Sequence, residues 1–495
     1  MSLLRAELAQ WRASPARELM AGAVATFALI PEVIAFAFVA GVDPQVGLFA
    51  SFVIGIVIAF CGGRPAMISA AAGSVALVAA PLVAAHGLPY LLAAGLLAGV
   101  VQIAFGLLRL GVLMRFVSSS VRTGFVNALA VLIFAAQLPH LLGANLATWA
   151  MLGAGLAIIY GLPRLRVPGL SAIPSPLLCI ALLTIAGSAM QLPLKTVADL
   201  GKLPDALPVL QWPSVPLTLE TLRIIALPAL AIAMVGLLES LMTARVVDEL
   251  TDTPSDKNRE CTGLGIANAA ASLFGGIAGC GMIGQTVGNV KYGGRGRLST
   301  LFAGVFLLIL MVLLKPWVSQ VPVVALVAIM VMVSAETFDW RSLRTVVTHP
   351  RTSSVVMLAT VAVTLATHNL AAGVAVGVVL SGVFFTFKVA GLLQIAHDDG
   401  ADGVRTYSVR GQVFFASADV FIDAFDARQV PGRSVVIDVS RAHFWDITAV
   451  AALDKVVQRL RHHDLEVQVR GLNAGSRRLM QAHALGEDAL ESALP

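Results

Sequence analysis

Apolar runs that approach twenty residues, separated by short polar breaks, recur along the first 390 positions of this 495-residue chain. They fall near 20–40, 46–62, 68–84, 88–108, 120–138, 146–160, 171–189, 224–243, 262–278, 283–292, 298–315, 321–336, 354–367 and 371–390. A helix rising 1.5 Å per residue needs about twenty such residues to cross ~30 Å of hydrocarbon. The pattern therefore predicts a polytopic α-helical membrane protein of about fourteen segments. One large soluble core is excluded, because such cores stop growing near ~250–300 residues.

Composition agrees. Hydrophobic residues make up 57% of the chain and charged ones 13%, against about a quarter charged in soluble proteins. The net charge of +5 does not signal nucleic acid, because the basic residues sit in the breaks and form no stripe. With the N-terminus inside, the inner breaks hold Arg64, Arg109, Arg115, Arg164, Arg166, Arg245, Lys257, Arg259, Lys291, Arg295, Arg297, Arg341, Arg344 and Arg351. Arg5, Arg12 and Arg17 add to that side, while the outer breaks hold Lys195, Lys202, Arg223 and Lys315. An excess of roughly four to one predicts both termini on the cytoplasmic side, and an even number of crossings. No small-residue cleavage site precedes the first apolar run, so no cleaved signal peptide is expected. Cys61, Cys179, Cys261 and Cys280 are scattered without metal spacing and read as packing residues, so neither metal nor cofactor is expected.

Two segments break the regular picture. The third, SAAAGSVALVAAPLV, is short, with Gly73-Ser74 inside it; the tenth, CGMIGQTVGNVKYGG, is punctuated by Gly281, Gly284 and Gly288. They occupy matching places if the chain is two seven-segment halves. Odd-numbered halves insert with opposite orientation, and paired interrupted segments in inverted halves point to a substrate site near the midplane. The competing explanation, that small residues only permit close helix packing, accounts for either segment alone.

Beyond residue 397 the chain turns polar. His397–Gly403 reads as a linker, followed by strands Val404–Val409 and Val413–Phe415, a helix from about Ser417, a buried strand Ser434–Val439, a helix Ala449–His462, a strand Glu466–Val469 and a last helix. Alternating strands and helices predict a compact α/β domain over 398–495. The remaining organisation is a cytoplasmic N-terminus over 1–19 and a transport domain over 20–392.

Several stretches carry a resemblance. IPEVIAFAFVAGVDPQVGLFAS resembles the first-helix signature of the SulP anion transporter family (solute carrier family 26), and SSSVRTGFVNALAVLIFAAQLPHLLG its fifth helix. LLESLMTARVVDEL and NRECTGLGIANAAASLFGGIAGCGMIGQTVGNVKYGGRGRLS resemble helices eight to ten, and VVIDVSRAHFWDITAVAALDKVV resembles a STAS domain, with Asp446 and Thr448 at the family's Asp-x-Ser/Thr. The resemblance spans almost the whole chain in order. It implies a 7+7 inverted repeat, with core helices 1–4 and 8–11 and gate helices 5–7 and 12–14. An anion would bind between half-helices 3 and 10, and the protein would be a homodimer. Cargo would be a dicarboxylate such as fumarate, sulfate or bicarbonate, moved with protons or sodium or by exchange. A STAS domain implies binding of regulatory proteins, with Thr448 at a position that related domains phosphorylate.

The chemistry of such a site is readable from residue types. A helix N-terminus leaves backbone N–H groups unpaired and carries about half a positive charge, so two facing ends bind an anion without a buried cation. Gly73, Ser74 and Val75 on one side and Ile283, Gly284 and Gln285 on the other would supply donors. Many eukaryotic members have Arg where this chain has Gln285. Glu32 stands where the family usually has Gln, ~18 Å along the first helix and near the midplane. A carboxylate there is costly unless neutral, paired or wet, so Glu32 is a candidate proton carrier; Pro31 should loosen the helix beside it. Glu239 lies at similar depth, either near the ion site or paired with a base such as Arg245. Asn127 and Asn268 read as interhelical hydrogen-bonding residues, and His86, His140 and His368 as solvated. No Walker motif is present, so primary active transport is not expected. The leading reading is a proton-coupled secondary carrier of a small anion. Its rivals are a passive anion channel or exchanger on the same scaffold, and a membrane-anchored signalling protein.

Overall fold

The structure, a computed structural model, describes residue 11 and residues 14–112, 117–165, 175–200, 207–348, 350–400 and 403–483. Most of the expected N-terminal segment, Arg5, Arg12, Arg115, Arg166, Lys202 and residues 484–495 lie outside the described residues. The chain divides into two compact units, Met1–Val378 and Val379–Pro495, at a boundary inside its last apolar helix.

Each of the fourteen apolar segments holds a helix. In order these are α1 (Pro15–Val39), α2 (Pro44–Cys61), α3 (Gly73–His86), α4 (Leu88–Leu107), α5 (Ser119–Ala135), α6 (Leu146–Gly161), α7 (Ser175–Ala189), α8 (Leu219–Thr251), α9 (Lys257–Leu273), α10 (Ile283–Lys291), α11 (Arg297–Val318), α12 (Val323–Thr337), α13 (Arg351–Thr367) and α14 (Leu370–Ala390). Among the described residues, seven helices are long and apolar enough to cross a membrane by themselves. The apolar runs set helix length, and polar residues set the starts: Ser118, Asn145, Thr218 and Asp256 each accept a backbone N–H from the first turn they precede.

Packing sorts the helices into two groups. In one, α9 lies along α4 and α2, α11 along α1 and α2, and α8 along α4 and α3; in the other, α13 lies along α5, and α12 along α6 and α5. These pairings interchange when seven is added to or taken from each number: α2–α11 answers α9–α4, α3–α8 answers α10–α1, and α5–α13 answers α12–α6. That interchange is what two inverted repeats produce. Small residues allow a close crossing of α4 and α9, where a Cβ at Gly99 would stand 2.6 Å from the carbonyl oxygen of Gly265.

Between the halves runs a two-stranded antiparallel ribbon. Strand β1 (Ser69–Ala71) pairs with β2 (Gly279–Gly281), with Ala70 opposite Cys280. An open sheet edge is not tolerated in hydrocarbon, where every backbone polar group needs a partner. Side chains close this one. Asn268 bonds both the N–H and the carbonyl of Gly279, Ser240 accepts from the Gly281 N–H, Thr243 donates to the Gly281 carbonyl, and Ser51 accepts from the Ala71 N–H.

Several basic residues of the inner breaks are also structural. Arg64 is buried and bridges to Asp248 at 3.1 Å. Arg297, equally buried, donates to the carbonyls of Ala59 and Gly62. These two carry fold information as well as a topology signal.

The second unit holds a four-stranded sheet of order β3–β4–β5–β6: β3 (Gln394–Asp399), β4 (Val404–Val413), β5 (Ser434–Phe444) and β6 (Glu466–Arg470). β3 is antiparallel to β4, and the other pairs are parallel. Helices α15 (Ala418–Asp423), α16 (Ile447–Arg461) and α17 (Ala474–His483) complete it, around a core that includes Tyr407, Phe421, Phe425, Phe444 and Val456. Two expectations need correction. His397–Asp399 is not linker but the end of an edge strand, polar in sequence because most of its side chains are exposed. Val413–Phe415 is no separate strand: β4 runs to Val413 through an irregularity between Ser408 and Arg410, and a turn closed by Ser417 follows.

Candidate functional site

The ribbon delivers two helix starts to one place. α3 has 14 residues and α10 has 9, or about 21 and 14 Å of helix, too short for a ~30 Å core. Their N-cap residues, Ala72 and Met282, have no side chain that caps the helix. The first helical bonds run from Ala76 N–H to the Ala72 carbonyl and from Thr286 N–H to the Met282 carbonyl. The N–H groups of Gly73, Ser74, Val75, Ile283, Gly284 and Gln285 are therefore the ones a helix leaves over.

A cavity of about 500 Å³ opens at these ends, lined by Gly73, Ser74, Ile283, Gly284 and Gln285 together with Glu32 and Glu239. Val75 is the exception among the sequence-predicted residues, its side chain fully buried and outside the lining. Phe125 and Leu129 of α5 and Val333 of α12 form the opposite wall, so the cavity lies between the two helix groups. Gly73 is required by its neighbour, since a Cβ there would stand 2.6 Å from the ring of Phe36. Gly284 is open to the cavity, and a Cβ there would meet nothing within 4 Å.

The two carboxyls repeat one arrangement. Glu239 of α8 bonds the Ser74 hydroxyl at the start of α3. Glu32 of α1 faces the Gln285 side chain at the start of α10. Each long helix thus sends a carboxyl to the half-helix of the other repeat. The alternative of a Glu239–Arg245 pair does not hold, because Arg245 bridges to Glu249 at 3.0 Å. α1 runs unbroken through Pro31. Cys280 is buried with its Sγ 3.9 Å from the Ser74 hydroxyl.

Sequence reasoning missed two charged residues of the cavity. Lys291, counted among the loop cations, is the last residue of α10 and lines the cavity, as does Glu336 near the end of α12. The signal was present in Gly284, Gly288 and Lys291, spaced four and three residues apart on one helical face. Asn127 bonds Ser342 and the Asp339 N–H, Asn268 holds β2, and His86, His140 and His368 are exposed. In the second unit Asp446 caps α16, accepting from the N–H groups of Ala449 and Phe415, and Thr448 is exposed in the first turn.

Comparison with known proteins gives the family and the fold. The model of the sulfate permease family matches residues 16–152 and 144–360, and that of the STAS domain residues 397–489. YbaR of Bacillus subtilis, provisionally named a sulfate transporter, is 49% identical over 475 residues, covering 96% of this chain and 98% of its own. The bicarbonate transporter BicA of Synechocystis is 26% identical, covering 88% and 84%. The solved structure of the murine anion transporter Slc26a9 superposes with a TM-score of 0.82 at 18% identity, covering 97% of this chain and 90% of that one, and so shares the fold. The chain belongs to the sulfate permease family of membrane anion transporters, which are not enzymes, and carries a STAS domain at its C-terminal end.

Proposed function

We propose that this protein is a secondary carrier that binds one small anion between the N-termini of α3 and α10 and moves it together with a proton. The observation that carries the reading is the pairing of two uncapped helix starts with two carboxyls in one cavity. The helix ends favour an anion by their dipoles and free N–H groups. Neither Glu32 nor Glu239 has a Lys or Arg ion-pair partner among the described residues. Such a carboxyl beside an arriving anion is relieved by a co-transported cation, and Glu32 is the proposed proton carrier, with Glu239 holding Ser74 in place.

The two helix groups, α1–α4 with α8–α11 and α5–α7 with α12–α14, would be the core and gate that alternate access. The cargo is a small oxyanion or carboxylate; sulfate, bicarbonate and a dicarboxylate such as fumarate all fit the donor set, and the roomy cavity favours the dicarboxylate. The orientation with both termini cytoplasmic, in a bacterial inner membrane, and the homodimer belong to the same proposal. Proteoliposomes test it. An inward pH gradient should drive accumulation of a labelled anion above equilibrium, and each candidate cargo should compete in proportion to its affinity. Flux that only dissipates the anion gradient would establish the passive channel instead.

A further inference from the structure

A second cavity, of about 520 Å³, adjoins the first at the end of the membrane unit where the basic breaks cluster. Its lining includes Arg122 of α5, Met242 and Arg245 of α8, and Asp256 and Lys257 at the start of α9. Met242 lines both cavities. It sits between Glu239 and Arg245 on one face of α8, three residues from each, and so forms part of the partition between the two spaces.

The charges in this second chamber are unevenly matched. Arg245 bridges to Glu249 at 3.0 Å, and Lys257 to Asp248 at 2.6 Å. Asp248 also holds Arg64. Asp256 accepts the N–H groups of Asn258 and Arg259 as the cap of α9. Arg122 is left over: it has no ion pair among the described residues, and its buried Nε has no hydrogen-bond partner there. Arg245 repels it more strongly than Glu249, the partner of Arg245, attracts it. A buried N–H donor facing a like charge is costly, and an anion between the two guanidinium groups removes both costs at once.

We infer that the Arg122–Arg245 chamber is a second anion site, an antechamber that holds the transported anion before it passes Met242 into the central cavity. The inference rests on the reading of the central cavity as the transport site, but its own test does not require transport. In a chain whose four cysteines are replaced, Met242→Cys places a thiol on the partition. The probes are two methanethiosulfonate reagents of similar size, one anionic and one cationic. The anionic reagent should react faster, relative to the free thiol, by about tenfold. Arg122→Gln should abolish that preference, and Arg122→Lys should keep most of it. Millimolar sulfate should slow the reaction in vesicles of neutral phosphatidylcholine. A preference unchanged by Arg122→Gln overturns the inference, and so does protection given only by phosphatidylglycerol, which would assign the site to lipid headgroups. With the cysteines intact, Arg122→Gln should raise the half-saturating anion concentration several-fold at unchanged maximal rate. A fall in maximal rate alone overturns the antechamber role.

Discussion

Gly284→Ala isolates the contact between the anion and the α10 helix start. The added methyl meets nothing within 4 Å and projects into open cavity, so it leaves the fold undisturbed. It does occupy space through which an anion must pass to reach the N–H groups of α10. An N–H···O⁻ bond needs a separation near 2.9 Å, and a methyl in the way prevents it. Losing one hydrogen bond to a charged group costs about 1.5–3 kcal/mol, or about 10- to 150-fold in affinity. Titration calorimetry on purified protein and the half-saturation of uptake should both show that loss, while the thermal midpoint stays within about 1 °C of wild type. Gly73→Ala is the contrasting control. Its methyl would stand 2.6 Å from the Phe36 ring, an overpacking worth about 1–3 kcal/mol, so its thermal midpoint should fall along with binding. Unchanged affinity in both Gly284→Ala and Gly284→Val, with the fold intact, would refute binding at the α10 start.

Four further outcomes are expected. Glu32→Gln should abolish accumulation driven by a pH gradient while anion exchange between the two sides persists, which countertransport of labelled anion measures. Ser74→Ala and Glu239→Gln should be non-additive in binding, with a coupling of about 1 kcal/mol or more in a double-mutant cycle, because each removes the same contact. Asp446→Ala should destabilise the first turn of α16 by about 0.5–2 kcal/mol, read as faster amide exchange at Ala449 and Val450 in the full chain. Arg405 engages Asp399 through two bonds of 2.6 and 2.8 Å and holds its carboxyl below the usual aspartate range. That contribution is complete above the unfolded pKa of ~3.9 and is lost as pH falls through the lower folded value. The stability gap between wild type and Asp399→Asn, followed by Trp445 fluorescence in urea, should therefore close on acidification.

The helices were legible because the bilayer imposes a length and a composition on each of them, and the glycine-broken third and tenth segments marked where that rule lapses. Glu32 and Glu239 were legible for the same reason, as carboxyls inside apolar runs. The ribbon was not. Ser69–Ala71 and Gly279–Gly281 are three residues each, made of small side chains, and their pairing is set across half the chain by Asn268, Ser240, Thr243 and Ser51. Lys291 escaped notice because a cation at a helix end reads equally well as a topology signal, and Glu336 because it stands at the polar end of its apolar run. Arg64 and Arg297 show the converse, charges in breaks that are buried and bonded. Strand β3 was hidden by exposure, since an edge strand needs little of the apolar alternation that reveals a central one.

The ribbon also bears on how the chain is made. Ala70 and Cys280 are partners about 210 residues apart, an interval that takes ~10–40 s at elongation rates of about 5–20 residues per second. Through that time β1 has left the ribosome and β2 does not exist, so the backbone polar groups of β1 lack the strand that will satisfy them. The ribbon that leads into α3 is therefore incomplete until the second repeat emerges. A pause in translation anywhere between residues 72 and 279 lengthens the exposure. Synonymous codon choice in that stretch should therefore alter the yield of folded carrier without changing a single residue.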